Sequence, residues 1–289
     1  MKIKPLYGEF GAEALGVDVS EGLDDATLKA LAEALYDRRL LVLRGQDCDK
    51  DAYLRFGRRW GQPIPHVLDH MRMPGYPEML VVGNTEEKDR KPEIRNGAAL
   101  WHTDQSYEAV PASATMLYAI QVPEGGGPTL FCDMAAAYDG LDQASKRRID
   151  GLEVAHSYGA GKLRPDDLVV NPIVNRKQRE QVPVTYHPLV LRHHVTGRRA
   201  LYALGHGAHA IKGMPDEAAE RLLDELKEHC LQPEYVHAHP YDVGDIAIWD
   251  TFQTMHKAVP IDVARGQSDA RLLWRISVRG KPDIYAKAA

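Results

Sequence analysis

Short apolar runs, none longer than eight residues, recur along this chain between glycine and proline. They are Leu40-Leu41-Val42-Leu43, Met79 to Val82, Thr115 to Tyr118, Thr129 to Phe131, Arg199 to Tyr202, Asp245 to Trp249 and Arg271 to Val278. Runs this short cannot bury a helix face, so each predicts a strand. Many short strands in one chain predict a closed or sandwiched β core. Helical spacing of apolar residues is confined to four stretches: Asp24 to Leu35, Asp51 to Trp60, Ala135 to Arg148 and Pro215 to Cys230. The expectation is an α+β chain, mainly β, with flanking helices.

With 289 residues, no composition break and no repeat, the chain reads as one domain spanning 1–289. The segments near 60–100 (chiefly 86–99) and 159–183 are polar or Pro/Gly-rich and lack periodicity. They are expected to serve as lids or binding loops. Net charge is −5, which disfavours a nucleic-acid partner, since phosphate binding calls for basic excess. No stretch approaches the roughly 20 apolar residues of a bilayer helix, so no membrane partner is expected. Cys48, Cys132 and Cys230 are scattered and odd in number, and the first residues lack a signal-like apolar core. Both point to a reducing, cytoplasmic setting. Homo-oligomers, dimer or tetramer, remain open.

The chemistry concentrates at Trp101-His102-Thr103-Asp104. In extended backbone, residues i and i+2 face the same way, so His102 and Asp104 can offer a nitrogen and an oxygen to one ion. A third ligand is needed. His256, closing the run Trp249-Asp250-Thr251-Phe252-Gln253-Thr254-Met255-His256, is the best candidate. His237-Ala238-His239 has competing spacing, but its polar context favours a surface strand. Two histidines and a carboxylate on one face of an octahedron leave positions open, which suits non-heme Fe(II) better than structural zinc.

The strand Arg271 to Arg279 sharpens this reading. Its period of two puts Arg271, Arg275 and Arg279 on one face with Leu273 and Ser277, and Leu272, Trp274, Ile276 and Val278 on the other. The apolar face is expected to belong to the core. The arginine face is either solvated or bound to anions, because guanidinium groups grip carboxylates through paired hydrogen bonds.

These motifs, with Gly11 to Val19, Leu43-Arg44-Gly45-Gln46 and Gly126-Gly127-Pro128-Thr129-Leu130-Phe131, resemble the taurine dioxygenase / 2,4-dichlorophenoxyacetate dioxygenase (TauD/TfdA) family almost end to end. The resemblance implies a double-stranded β-helix, or jelly roll, and an enzyme that uses Fe(II), 2-oxoglutarate and O2. It implies His102, Asp104 and His256 as iron ligands, and Thr129 with Arg271 at the distal carboxylate of 2-oxoglutarate. Arg275 would lie near the cosubstrate's other carboxylate and the anionic group of the prime substrate. His66 is similar to a substrate-anion histidine of the sulfonate users. Arg279 has no family role and is expected to be solvated.

Two positions depart from the sulfonate users. Asp69 stands where they carry a tyrosine, and Ala98 where they carry an asparagine. An added negative charge and a lost amide donor disfavour taurine, so a small anionic substrate, carboxylate before sulfonate, is expected to be hydroxylated with release of succinate and CO2. Asp104 occupies the carboxylate position, which disfavours halogenation. Desaturation or isonitrile-type oxidation uses the same ligands. The alternatives outside oxygenase chemistry are a non-catalytic jelly-roll module that binds metal and anion, and a zinc hydrolase with no use for Thr129 and Arg271.

Overall fold

Strand alternation decides the layering of this protein, whose computed structural model describes residues 1–67, 69–85, 98–158 and 183–286. The largest sheet has nine strands, running in the order Lys2–Tyr7, Phe10–Leu15, Leu40–Leu43, Ile246–Asp250, Ala114–Gln121, Leu272–Arg279, Tyr76–Gly83 and Arg72–Met73. The ninth, Gln62–Pro63, pairs with Leu272–Arg279. Alternate side chains go to opposite cores. Leu41, Leu43, Met116, Tyr118, Ile246, Ile248, Ile276 and Val278 pack against helices Asp25–Arg38 and Lys50–Trp60. Leu40, Val42, Leu117, Ala119, Ala247, Trp249 and Leu273 point the other way, toward Phe131 and Tyr241.

Phe131 comes from a facing three-stranded sheet, Val236–His239, Thr129–Asp133 and Thr254–Ala258. Two sheets face to face with a shared interior form the jelly-roll core, and the outer side of the small sheet is covered by a third cluster. There Cys132 and Met255 meet Leu222, Leu223 and Leu226 of helix Asp216–Cys230. Because the large sheet is covered on both sides, the Leu40–Leu43 run is apolar at every position, as a strand buried on two faces requires.

Three expectations need correction, and one open alternative is decided. Ala135 to Arg148 is not one helix but two, Met134–Gly140 and Gln143–Ile149. Asp142 interrupts it by accepting from Ser145 N–H at 2.6 Å, a local cap that competes with helix continuation. The arginine face of Leu272–Arg279 is not an outer face: Arg271 is 3% exposed, and Leu273 on the same side sits in the inner core. Arg279 is not simply solvated, since it pairs with Glu108 at 2.8 Å. The strand bearing His237 and His239 is not a surface strand. His237 stacks on Phe10 at 4.5 Å, and buried His239 hydrogen-bonds the Tyr7 hydroxyl through Nδ1 at 3.0 Å.

Of the segments expected to act as lids, 86–97 and 159–182 lie outside the described residues. No helix among the described residues is long and apolar enough to cross a membrane.

One buried ion pair joins helix, large sheet and small sheet. Arg39 follows the first helix with φ 65°, its N–H returning to the Leu35 carbonyl. Its guanidinium meets Asp133 at 2.6 Å, with both side chains 3% exposed. Asp133 in turn caps the helix after the small sheet by accepting from Ala136 N–H. Arg39→Ala strands that carboxylate and should destabilise the fold by roughly 3–5 kcal/mol. Chemical denaturation checks this, and a loss below about 1 kcal/mol would show that the pair does not join the layers.

Candidate metal and anion site

Two distant segments are fastened by their main chains before any side chain is considered. His102 donates its N–H to the His256 carbonyl at 3.0 Å, and His256 donates to the His102 carbonyl at 3.0 Å. This reciprocal antiparallel pair extends the small sheet by one residue and brings the imidazole centroids to 4.2 Å. Asp104, two residues on, reaches the same place. Its oxygens lie 3.8 Å from His102 Nε2 and 3.7 Å from His256 Nε2. Among the described residues, these three are the group of His, Cys, Asp or Glu able to share an ion, with one ligand atom from each lying within 4.8 Å of the others.

The donor set suits a divalent transition metal. His102 Nδ1 is 2.7 Å from the Leu100 carbonyl, which fixes Nδ1–H as donor and leaves the Nε2 lone pair available. Burial pushes the His102 imidazole pKa down, against the pull of Asp104, and pushes that of His256 down further, with His102 adding to the effect. Neutral rings are the ligating form. For Asp104, burial alone would raise the pKa, but Arg275 first and the two imidazoles after it hold the carboxyl well below the usual range. Arg275 donates to Asp104 Oδ1 at 2.6 Å and to Ser277 Oγ at 2.9 Å. Oδ2 is buried without a hydrogen-bond partner, an arrangement that a cation between carboxylate and imidazoles would satisfy.

The turn that delivers His256 is built on Asp250. Its carboxylate accepts from Phe252 N–H at 2.9 Å and from Gln253 Nε2 at 2.8 Å, and lies 3.0 Å from His193 Nε2, with His193 and Asp250 both fully buried. The segment that delivers His102 is packed against Gly205. A Cβ there would lie 2.4 Å from the Trp101 carbonyl oxygen and 2.7 Å from His102 Cα.

Arg271 immediately precedes the strand that carries Arg275. Its N–H donates to Asn84 Oδ1 at 2.7 Å, and Asn84 Nδ2 donates to the carbonyls of Asp262 and Asp269. The guanidinium donates through Nε to the Gly127 carbonyl at 3.2 Å and sits 5.7 Å from the Tyr241 ring centroid. No carboxylate among the described residues pairs with it, and burial lowers its pKa. Thr129 is also buried, with Oγ1 3.0 Å from the hydroxyl of Tyr241, the residue whose ring faces Arg271. A desolvated guanidinium without a carboxylate partner is a candidate site for an anion.

The remaining predicted residues are more loosely tied to this centre. His66 is buried, its carbonyl accepting from Arg72 Nε and its ring edge-on to Tyr158 at 6.3 Å. Asp69 is 86% exposed and paired with Arg72 at 2.6 Å. Ala98 is half-buried, its carbonyl accepting from Ala258 N–H at 2.7 Å, two residues beyond His256. Sequence reasoning missed His193, Asn84, Gly205 and Tyr241, and it missed the edge-to-face pair Tyr107 and Tyr158, 4.7 Å apart and within the electrostatic reach of Arg275. Only Tyr241, two residues past the His237/His239 spacing, stood near a feature that drew attention.

Gly205→Ala should push the His102 backbone out of register and weaken Mn(II) binding by roughly 10- to 100-fold, as supporting residues around metal ligands do. Calorimetric titration measures this. Unchanged affinity would mean that the backbone contact does not set the ligand's position.

The chain is similar to known proteins over nearly its whole length. The profile of the taurine catabolism dioxygenase TauD, TfdA family matches residues 2–277. An (S)-phenoxypropionate/alpha-ketoglutarate-dioxygenase of Sphingobium herbicidovorans is 32% identical over 291 residues, 97% of this chain and 95% of that one. An alpha-ketoglutarate-dependent 2,4-dichlorophenoxyacetate dioxygenase of Cupriavidus pinatubonensis is 30% identical over 271 residues, covering 90% and 92% of the two chains. The crystal structure of AAD-2 in complex with Mn(II) and N-oxalylglycine superposes with a TM-score of 0.80 at 29% identity, covering 96% of this chain and 98% of the other. With its jelly-roll core and a profile match over nearly its whole length, this chain belongs to the TauD/TfdA family of alpha-ketoglutarate-dependent dioxygenases.

Proposed function

We propose that this enzyme uses Fe(II), 2-oxoglutarate and O2 to oxidise a small organic carboxylate, by hydroxylation, with release of succinate and CO2. The observation that carries this reading is Arg271, a buried guanidinium without a carboxylate partner among the described residues, immediately before the strand whose Arg275 touches Asp104. A hydrolase would need the metal trio alone. A metal trio touched by Arg275, with a second, carboxylate-free arginine four residues away at the entry to the same strand, suits a 2-oxo diacid.

His102, Asp104 and His256 would hold the iron, which when bound supplies the oxygen chemistry that amino-acid side chains lack. Thr129 and Arg271 would bind the distal carboxylate of the cosubstrate. Arg275 partly neutralises Asp104 and would face the second carboxylate and the anionic group of the prime substrate, with His66 as a second contact. Tyr107 and Tyr158 would wall this pocket with aromatic surface that excludes water and accepts an apolar body behind the anion. Asp69, exposed and paired with Arg72, and half-buried Ala98 would stand in place of the tyrosine and asparagine of the sulfonate users, and neither would favour a compact sulfonate. Among relatives, a Pseudomonas putida enzyme is an alpha-ketoglutarate-dependent sulfate ester dioxygenase, 31% identical over 267 residues, so sulfate esters belong in any substrate screen. A reducing, cytoplasmic location completes the proposal, supported by three free thiols.

The test is a screen of aryloxy and aliphatic carboxylates, sulfonates, phosphonates and sulfate esters, with Fe(II) and 2-oxoglutarate, scored as succinate per product. Stoichiometric coupling to a carboxylate is the expected result, and turnover that persists without oxygen would contradict it. His102→Ala should abolish iron-dependent turnover, and retained activity would remove that residue from the iron site. Arg271→Ala should chiefly raise the 2-oxoglutarate requirement, because it leaves a carboxylate unpaired at a cost of roughly 3–5 kcal/mol. An unaltered requirement would return the arginine to a structural role.

A further inference from the structure

Tyr241 is fully buried, lies two residues past the strand end His239 that pairs with Thr129, and its hydroxyl meets the threonine hydroxyl at 3.0 Å. Two hydroxyls in contact hold two protons between them. One is used in their mutual bond and the other remains to be donated elsewhere. A phenol is the better donor of the two, so the favoured direction is Tyr241 donating to Thr129, which turns the single threonine proton outward. Burial pushes the Tyr241 phenol up to about 12, against the pull of Arg271, so it stays a protonated donor at neutral pH.

The ring is also held on several sides. The Arg271 guanidinium lies 5.7 Å from its centroid, and His239 meets it edge-on at 5.1 Å. Its N–H donates to the Gly126 carbonyl at 3.1 Å. Gly126 has φ +80°, and a Cβ there would come within 2.7 Å of Pro240 Cβ and 3.1 Å of the Tyr241 backbone, so only glycine lets the two loops close this tightly. These contacts and the Thr129 hydroxyl together fix where the phenol oxygen lies.

We propose that Tyr241 is a positioning residue for the distal carboxylate of the 2-oxo acid: its hydroxyl orients that of Thr129, and its ring carries Arg271, so that both donors meet the anion together. The inference rests on the cosubstrate reading above and adds a residue to it. Loss of the phenol oxygen frees the Thr129 rotor to turn away from the ligand, and the donor chain loses its mutual polarisation.

The test uses the full chain loaded with Mn(II) and titrated calorimetrically with N-oxalylglycine. Wild type, Tyr241→Phe, Thr129→Ala and the double variant are compared. Removing one oxygen from Tyr241 preserves its packing, so Mn(II) affinity and melting temperature should match wild type. Tyr241→Phe and Thr129→Ala should each weaken N-oxalylglycine about tenfold, and the double variant should bind no more weakly than Thr129→Ala alone, because the tyrosine acts through the threonine. N-oxalylglycine affinity of Tyr241→Phe within about twofold of wild type overturns the inference, as does a double variant whose losses multiply toward about a hundredfold. A parallel fall in Mn(II) affinity or melting temperature also overturns it, in favour of a packing role. Wild-type protein that binds no N-oxalylglycine overturns the cosubstrate reading itself, an outcome distinct from equal binding by wild type and Tyr241→Phe.

Discussion

The pair of backbone hydrogen bonds between His102 and His256 is the contact on which the rest of the site depends. It is made of main-chain atoms, so side-chain substitution cannot remove it directly, and it fixes two imidazoles 154 residues apart in sequence at a centroid distance of 4.2 Å. The layers around it serve to hold both ends. Asp250, His193 and Gln253 shape the turn before His256, and the close approach of Gly205 supports the segment before His102. Asp104 then needs only its i+2 position to reach the same point.

The strand Leu272–Arg279 forms the second half of the site. It is paired on both sides, with Ala114–Gln121 and with Tyr76–Gly83, so its register is set twice. One face gives Ile276 and Val278 to the helix-covered core, and the other brings Arg271 and Arg275 toward the interior. Each arginine is handled differently. Arg275 pairs with Asp104 and tempers its charge, while Arg271 is left to desolvated backbone, an aromatic ring and the prospect of an anion. Such an arrangement costs stability unless a ligand compensates, which is a pattern of binding sites more than of packed cores.

Much of this was legible in the sequence, for physical reasons that can be named. The Leu40–Leu43 run announced a strand covered on both faces, and the His-x-Asp spacing announced two side chains on one side of extended backbone. The period of two in the last strand separated the arginines from Ile276 and Val278, but periodicity does not say which face points inward when both are covered. That is why a solvated arginine face remained open and why Arg279, paired with Glu108, was misjudged. The break at Asp142 was hidden because helical spacing of apolar residues continues through it while a single aspartate cap decides the backbone. Tyr241 and His193 were hidden for another reason. Their partners are distant in the chain, 112 residues for Tyr241 and Thr129, and no local pattern encodes such a contact.

The central claim is that His102, Asp104 and His256 close around one ferrous ion while Arg271 waits for a carboxylate. Anomalous diffraction at the iron edge, from crystals grown anaerobically with Fe(II) and 2-oxoglutarate, tests it most directly. The account predicts one peak within bonding distance of both Nε2 atoms and an Asp104 oxygen, with the distal carboxylate on Arg271. A peak at His237 and His239, or a diacid bound away from Arg271, would contradict it.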